Sequence, residues 1–144
     1  MYLTSSAFSS QARIPTRYTC DGEDLSPPLT IDGIPEGTAA LVLIVDDPDA
    51  PGDVWDHWVA YDIPPERLIP EGVSNLGTGG RNTWGRTGYG GPCPPPGGSH
   101  RYIFSIYAID TTLGLSEGVD KGAVLNAIQG HILDEAELIG RYSR

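Results

Sequence analysis

His100-Arg101-Tyr102-Ile103-Phe104-Ser105-Ile106-Tyr107-Ala108-Ile109-Asp110 is the stretch that decides the fold. Successive strand side chains point to opposite faces, so His100, Tyr102, Phe104 and Ile106 share one face and Arg101, Ile103, Ser105 and Tyr107 take the other. This is the strongest strand signal in the chain, and it opens on a histidine. Upstream, Thr38-Ala39-Ala40-Leu41-Val42-Leu43-Ile44-Val45-Asp46 is a continuous apolar run, the pattern of a strand buried on both faces and so mid-sheet. Asp47-Pro48-Asp49-Ala50-Pro51-Gly52-Asp53 then enforces a turn, and Trp55 to Ile63 resumes with aromatic and β-branched residues as a further strand. Antiparallel pairing of these two strands puts Asp47 and His57 at the same sheet end, where a carboxylate could orient an imidazole.

The 144 residues suit one domain, 1–144. Hydrophobic residues at 39% and charged residues at 19% exclude disorder, while 19 Gly and 13 Pro favour many short elements joined by turns. A formal charge of −10 with scattered Lys and Arg excludes a nucleic-acid-binding surface. The first residues lack a basic and apolar leader, and no apolar run reaches membrane-spanning length, so the expected location is cytoplasmic. In that compartment Cys20 and Cys93 are expected as two reduced thiols, with a bridge between them as the alternative. Near the C-terminus, Leu125, Ile128, Ile132, Ala136 and Ile139 recur close to a 3.6-residue period with Gly130 as a break, which predicts one or two peripheral helices. Residues 70–99 read as a long irregular loop, a feature usually tied to function.

The chemistry-bearing residues gather where strands meet loops: Asp47 and Asp49, then Trp55, His57 and Trp58, then Gly90, Gly91 and Pro92, then His100 and Tyr102. A histidine at a strand start is ordinarily only solvated or hydrogen-bonded; it is the co-location of two imidazoles, carboxylates and a phenol that points to a cavity mouth. Trp55 and Trp58 are expected to wall it, and backbone N–H groups near Gly90 and Gly91 to approach an anion closely. His131, on the helical pattern, reads as an ordinary surface or cap residue. Ser99 lies outside a Gly-x-Ser-x-Gly elbow and Cys93 is wedged between prolines, so no nucleophile is evident and no enzyme is expected. His57, His100, Asp47 and Asp49 lack the spacing of familiar metal motifs, and neither metal nor other cofactor is expected.

These residues also carry a resemblance. Ile14-Pro15, Tyr18-Thr19-Cys20-Asp21-Gly22-Glu23-Asp24-Leu25-Ser26-Pro27-Pro28-Leu29, Asp46-Asp47-Pro48-Asp49-Ala50-Pro51, His57-Trp58, Gly91-Pro92-Cys93-Pro94-Pro95, His100-Arg101-Tyr102, Gly130-His131-Ile132-Leu133 and Ala136-Glu137-Leu138 together resemble the bacterial and archaeal phosphatidylethanolamine-binding proteins, also called Raf kinase inhibitor-like proteins. The resemblance implies a mostly β protein: an antiparallel β-sandwich with a large central sheet, a smaller sheet and peripheral C-terminal helices. It also implies a small pocket at one end for anions such as phosphate, acetate or a phospholipid head group. Asp47 and His57 match its first motif, with Asp49 in the same loop, Gly91 and Pro92 its Gly-Pro wall, and His100 and Tyr102 its second. Asp32 departs from the tryptophan that many prokaryotic relatives carry there.

The function this implies is small-anion binding, regulatory through a protein partner such as a serine protease or kinase. A protease inhibitor using the proline-rich segments 48–51 and 92–96 as rigid loops is the first alternative, and a small-molecule hydrolase the second. Anion affinity is expected to fall as pH rises through the histidine range, with Asp47 favouring a charged imidazole. Closed symmetric dimers being common, a homodimer is the expected oligomer.

Overall fold

The computed structural model describes residues 1–144. Eight strands form two antiparallel sheets: β1 (Tyr2–Thr4), β2 (Leu29–Asp32), β3 (Ala40–Asp47), β4 (Trp55–Ile63), β5 (Leu68–Ile69), β6 (Thr78–Gly79), β7 (His100–Ile109) and β8 (Ile132–Tyr142). The large sheet has the order β6-β4-β3-β7-β8 and the small one β1-β2-β5. β3 is therefore interior, as its unbroken apolar run requires, with β4 and β7 as neighbours.

Two separate apolar layers hold the sheets. Between them lie Leu41, Leu43 and Val45 of β3, Trp58 and Ala60 of β4, Tyr102, Phe104 and Ile106 of β7, and Leu3, Leu29 and Ile31 of the small sheet. The outer face of the large sheet presents Val42, Ile44, Val59 and Tyr61 to Val124 and Ile128 of the single helix, α1 (Lys121–Ile128). Asp120 caps that helix, its Oδ1 accepting from the Ala123 N–H at 2.9 Å.

The C-terminal helical reading is half right. Helix α1 stops before Gly130, whose φ of 81° suits glycine, and the chain continues as an 11-residue strand. Ile132, Ala136 and Ile139, assigned by their spacing to a helix, lie on β8, which pairs with β7 from His100↔Tyr142 to Ile109↔Ile132. Ala136, Leu138 and Tyr142 turn inward while Glu135 and Glu137 turn out, a period of 2 that the helix-forming Ala, Glu and Leu disguise. Pairing along the whole of β7 outweighs that local preference. Residues 70–99 hold β6 and a sequence of tight turns, and they form one wall of the cavity described below.

The cysteines correct a second expectation: Cys20 and Cys93 form a disulfide across 73 positions, and neither thiol is free. It joins the turn after the short 3₁₀ segment Thr16–Tyr18 to the proline-rich loop, reinforced by the Cys20 N–H donating to Pro92 O at 3.1 Å. No helix is long and apolar enough to cross a membrane. Asp32, the departure noted in the sequence, ion-pairs with Arg67 at 2.6 Å on the surface of the small sheet.

Candidate functional site

A register shift positions the first half of the site. Val45 pairs with Trp58 but Asp46 pairs with Asp56, so β4 carries one extra residue, His57, at a β-bulge. Strict alternation would set His57 and Trp58 on opposite faces. The bulge lets His57 and Trp55 face the sandwich end while Trp58 still reaches the inter-sheet core. Asp56 remains on the helix side, where it and Asp46 hold Lys121 Nζ at 2.6 and 3.2 Å.

β7 delivers the second half by simple alternation, with His100 and Tyr102 on the inward face. Together His57, His100, Tyr102, Trp55, Trp84, Ala50, Pro51, Cys93, Pro94 and Pro95 enclose a cavity of about 230 Å³ at the end of the sheet.

Each imidazole is oriented through Nδ1. The His57 Nδ1–H donates to Gly90 O at 2.7 Å, and the Gly90 N–H returns a 3.0 Å bond to His57 O. The His100 Nδ1–H donates to Asp47 Oδ2 at 2.7 Å, and the other Asp47 oxygen accepts from the Asp49 N–H at 2.8 Å. The expected Asp47–His57 pairing is thus replaced by Asp47–His100: Asp47 faces β7, and the bulged His57 meets the loop instead. Neither Nε2 has a hydrogen-bond partner in the protein. Burial holds His57 below the usual imidazole range, partly offset by its bond to Gly90. In its neutral form the bonded Nδ1 carries the proton and Nε2 is a lone-pair acceptor.

Tyr102 lies between these groups, its ring edge-on to His57 at 5.2 Å between centroids. It is 1% exposed, and its hydroxyl, like Trp55 Nε1, has no hydrogen-bond partner within 3.5 Å, although the Asp47 carboxylate is close by. Burial, the nearby Asp47 charge and a long contact of the hydroxyl with that carboxylate push the phenol well above its usual range, so it remains a donor at any ordinary pH. A buried hydroxyl without a partner costs about 1–3 kcal/mol, a cost that a bound acceptor would offset.

Other expected site residues take supporting places. Asp49 does not line the cavity; it binds Arg101 through Nε, Nη2 and the backbone N–H at 2.9–3.0 Å, and this holds its carboxyl at about 2. Gly90 and Gly91 are not anion donors, because their N–H groups serve His57 O and Asp24 Oδ1. They are glycine because a Cβ on Gly90 would sit 2.3 Å from the Trp84 ring, and one on Gly91 2.3 Å from Tyr18 O. Pro92 is a buried brace, its carbonyl tied to Cys20. Trp58 is a core residue, stacked edge-on with Tyr89, and it borders a different, larger cavity of about 370 Å³ lined by residues such as Ser74, Thr78 and Thr87. That larger space has neither imidazole nor unpartnered buried side chain.

Trp84 was the residue the sequence left unassigned. It packs edge-on against His57 and Trp55, with centroids 5.0 and 5.6 Å away. A tryptophan in a stretch otherwise made of Gly, Asn, Thr and Arg was the available signal, since so large an apolar ring in a polar loop must cover something. His131, expected on the surface or at a cap, is half-buried just past α1 and bonds Asp110 at 2.8 Å.

The family model for phosphatidylethanolamine-binding protein matches residues 4–143. The UPF0098 protein of Methanothermobacter thermautotrophicus is 51% identical, covering 100% of this chain and 99% of its own. That of Pyrococcus abyssi is 47% identical, covering 100% and 86%. Among solved structures, a phosphatidylethanolamine-binding protein homolog from Chlamydia trachomatis superposes with a TM-score of 0.95 at 43% identity, covering 99% and 97% of the two chains. E. coli YbcL, described as a new member of the mammalian family, superposes at 0.91 with 30% identity, covering 99% and 98%. The chain belongs to the phosphatidylethanolamine-binding protein family.

Proposed function

We propose that the protein binds a small, proton-bearing oxyanion of the phosphate type in the end-of-sheet cavity, as a phosphate or phospholipid head-group binding protein acting through a protein partner. The observation that carries this reading is the buried, unpartnered Tyr102 hydroxyl beside two imidazoles whose Nδ1 atoms are already committed. A fixed donor and two free ring nitrogens converge on one small space, and none of them serves the fold. Neutral His57 offers a lone pair, so the ligand oxygen that meets it carries a proton, while the Tyr102 O–H donates to an oxygen that does not. Apolar walls of Trp55, Trp84, Pro94 and Pro95 limit water and strengthen those bonds.

The test is calorimetric titration of inorganic phosphate into the wild type and Tyr102→Phe. Removing an unpartnered hydroxyl should leave stability unchanged or slightly raised while weakening phosphate by about tenfold, the value of one hydrogen bond to a charged group. Equal phosphate affinity in the two proteins would remove the basis of the reading.

One observation favours a protease-inhibitory loop as a second reading. The exposed Pro95-Pro96-Gly97 tip adjoins Cys93, whose disulfide anchors it as pre-organised inhibitory loops require. Stoichiometric inhibition of chymotrypsin-like or subtilisin-like proteases without cleavage would support it, and absence of inhibition across both classes would exclude it.

A further inference from the structure

Beyond the residues that line the cavity, the outer side of its Trp84 wall carries a second, charged feature. Of the nine Lys and Arg residues, Arg17, Arg67, Arg81, Arg101, Lys121 and Arg144 are in ion pairs. Arg13 lies over the Tyr142 ring and bonds Ser143 O, and Arg141 bonds Gln11. Arg86 alone has neither an ion pair nor a side-chain hydrogen bond. Its guanidinium carbon stands 5.5 Å from the ring centroid of Trp84. Trp84 is 39% exposed and forms part of the cavity wall, with its inner edge against His57.

The ring therefore separates two environments, the imidazoles inside and an uncommitted cation outside. From the loop between β3 and β4, only the uncharged Ala50 and Pro51 line the cavity. The nearest acid further along that loop, Asp53, is exposed and has its Oδ1 engaged by the Val54 N–H; like Arg86 it lies outside the cavity lining, but unlike Arg86 it does not pack on a lining side chain. Stacking on an indole face holds a guanidinium in place without consuming its charge or all of its N–H donors.

We infer that Arg86, seated on Trp84, sets ligand specificity at the cavity mouth, favouring small oxyanions whose far end carries a second negative group over those whose far end is an ammonium. This rests on the head-group reading of the floor and adds to it. A phosphoethanolamine-type head brings its ammonium toward the guanidinium and is disfavoured; a phosphonate or phosphate bearing a distal carboxylate is favoured. The net charge of −10 acts the opposite way, attracting ammonium ligands, so the expected order cannot arise from the overall field.

Three ligands of one length test it by calorimetry at low salt: 3-phosphonopropionate, propylphosphonate and 3-aminopropylphosphonate, ending in carboxylate, methyl and ammonium. The wild type should bind them in that order, each step worth about threefold, as for an exposed ion pair. Arg86→Glu should exchange the first and last, and Arg86→Gln should flatten the series. Ammonium binding tightest in the wild type, or an order unchanged in Arg86→Glu, would overturn the inference. Equal binding of all three alongside inorganic phosphate would overturn the mouth assignment alone. No binding by any of the four would overturn the head-group reading and this inference with it.

Discussion

Asp47 Oδ2 lies 2.7 Å from Nδ1 of His100, so the carboxylate at the end of β3 fixes the ring of β7 and leaves the bulged His57 to a backbone carbonyl. The two imidazoles are thus held by different chemistry. One has a charged partner and the other a neutral one. Asp47→Asn keeps the shape but removes the charge that holds His100 in its Nδ1–H form. Phosphate affinity should fall about tenfold or more, the scale of a charged hydrogen bond. Isothermal titration with unchanged affinity would show that His100 is not oriented for binding.

The His57 ring gives a stability effect with a definite sign. Its folded pKa is lowered by burial, so below the ordinary imidazole value near 6.5 the unfolded chain takes up the proton more readily than the folded one. Stability should therefore decline as pH falls through and below about 6.5. Urea unfolding at several pH values checks this: the decline should be shallower in His57→Gln. An identical slope in both proteins would place the effect elsewhere.

Asp49 works in the opposite pH range. Arg101 lowers its carboxyl to about 2, so the pair contributes stability above the unfolded value near 3.9, and that contribution is lost as pH falls toward about 2. Because the side chains are 31% and 43% exposed, solvent screening limits the gain to roughly 1 kcal/mol. Asp49→Asn should cost that much at pH 7 and progressively less as pH falls through about 2, as read from denaturant midpoints.

The Cys20–Cys93 bridge closes a loop spanning 73 positions, and its loss should cost about 2–4 kcal/mol by releasing that constraint in the unfolded chain. The Cys20→Ser, Cys93→Ser double variant should melt at lower temperature. Because Cys93 lines the cavity beside Pro94 and Pro95, the variant should also bind phosphate more weakly. A lower melting point with full affinity would show that the bridge serves the fold alone.

Gly90→Ala is a local probe of the Trp84 wall. Its new Cβ would overlap the indole at 2.3 Å, so either the loop or the ring must move, at a cost of about 1–3 kcal/mol. A shift in tryptophan fluorescence should accompany the destabilisation, and wild-type stability would contradict the packing described.

Much of this was legible in residues 38–63 and 100–110, because their patterns are long, apolar and unambiguous in period. The centre of the large sheet, the antiparallel neighbours and the gathering of His57, His100, Tyr102 and Asp47 all follow from them. β8 was not legible, since Ala136, Glu137 and Leu138 favour a helix in isolation and become a strand only against β7. The Asp47–His100 pairing was hidden for a similar reason. Which imidazole a carboxylate meets depends on the bulge at His57 and on a neighbour 53 positions away. Trp58 was misplaced by the same bulge, and the disulfide required a separation that spacing does not encode. Family membership was readable from dense motifs along the chain; the roles of Gly90 and Gly91 needed coordinates.

The most direct test of the head-group reading is NMR titration of the protein with inorganic phosphate, following the imidazole nitrogens of all three histidines. The reading expects saturable shifts at Nε2 of His57 and His100, with affinity falling as pH rises by up to about tenfold per unit, because a proton accompanies the ligand. His131, bonded to Asp110 beyond α1 and outside the cavity lining, should stay still. Non-saturating shifts, or shifts of equal size at His131, would contradict the account.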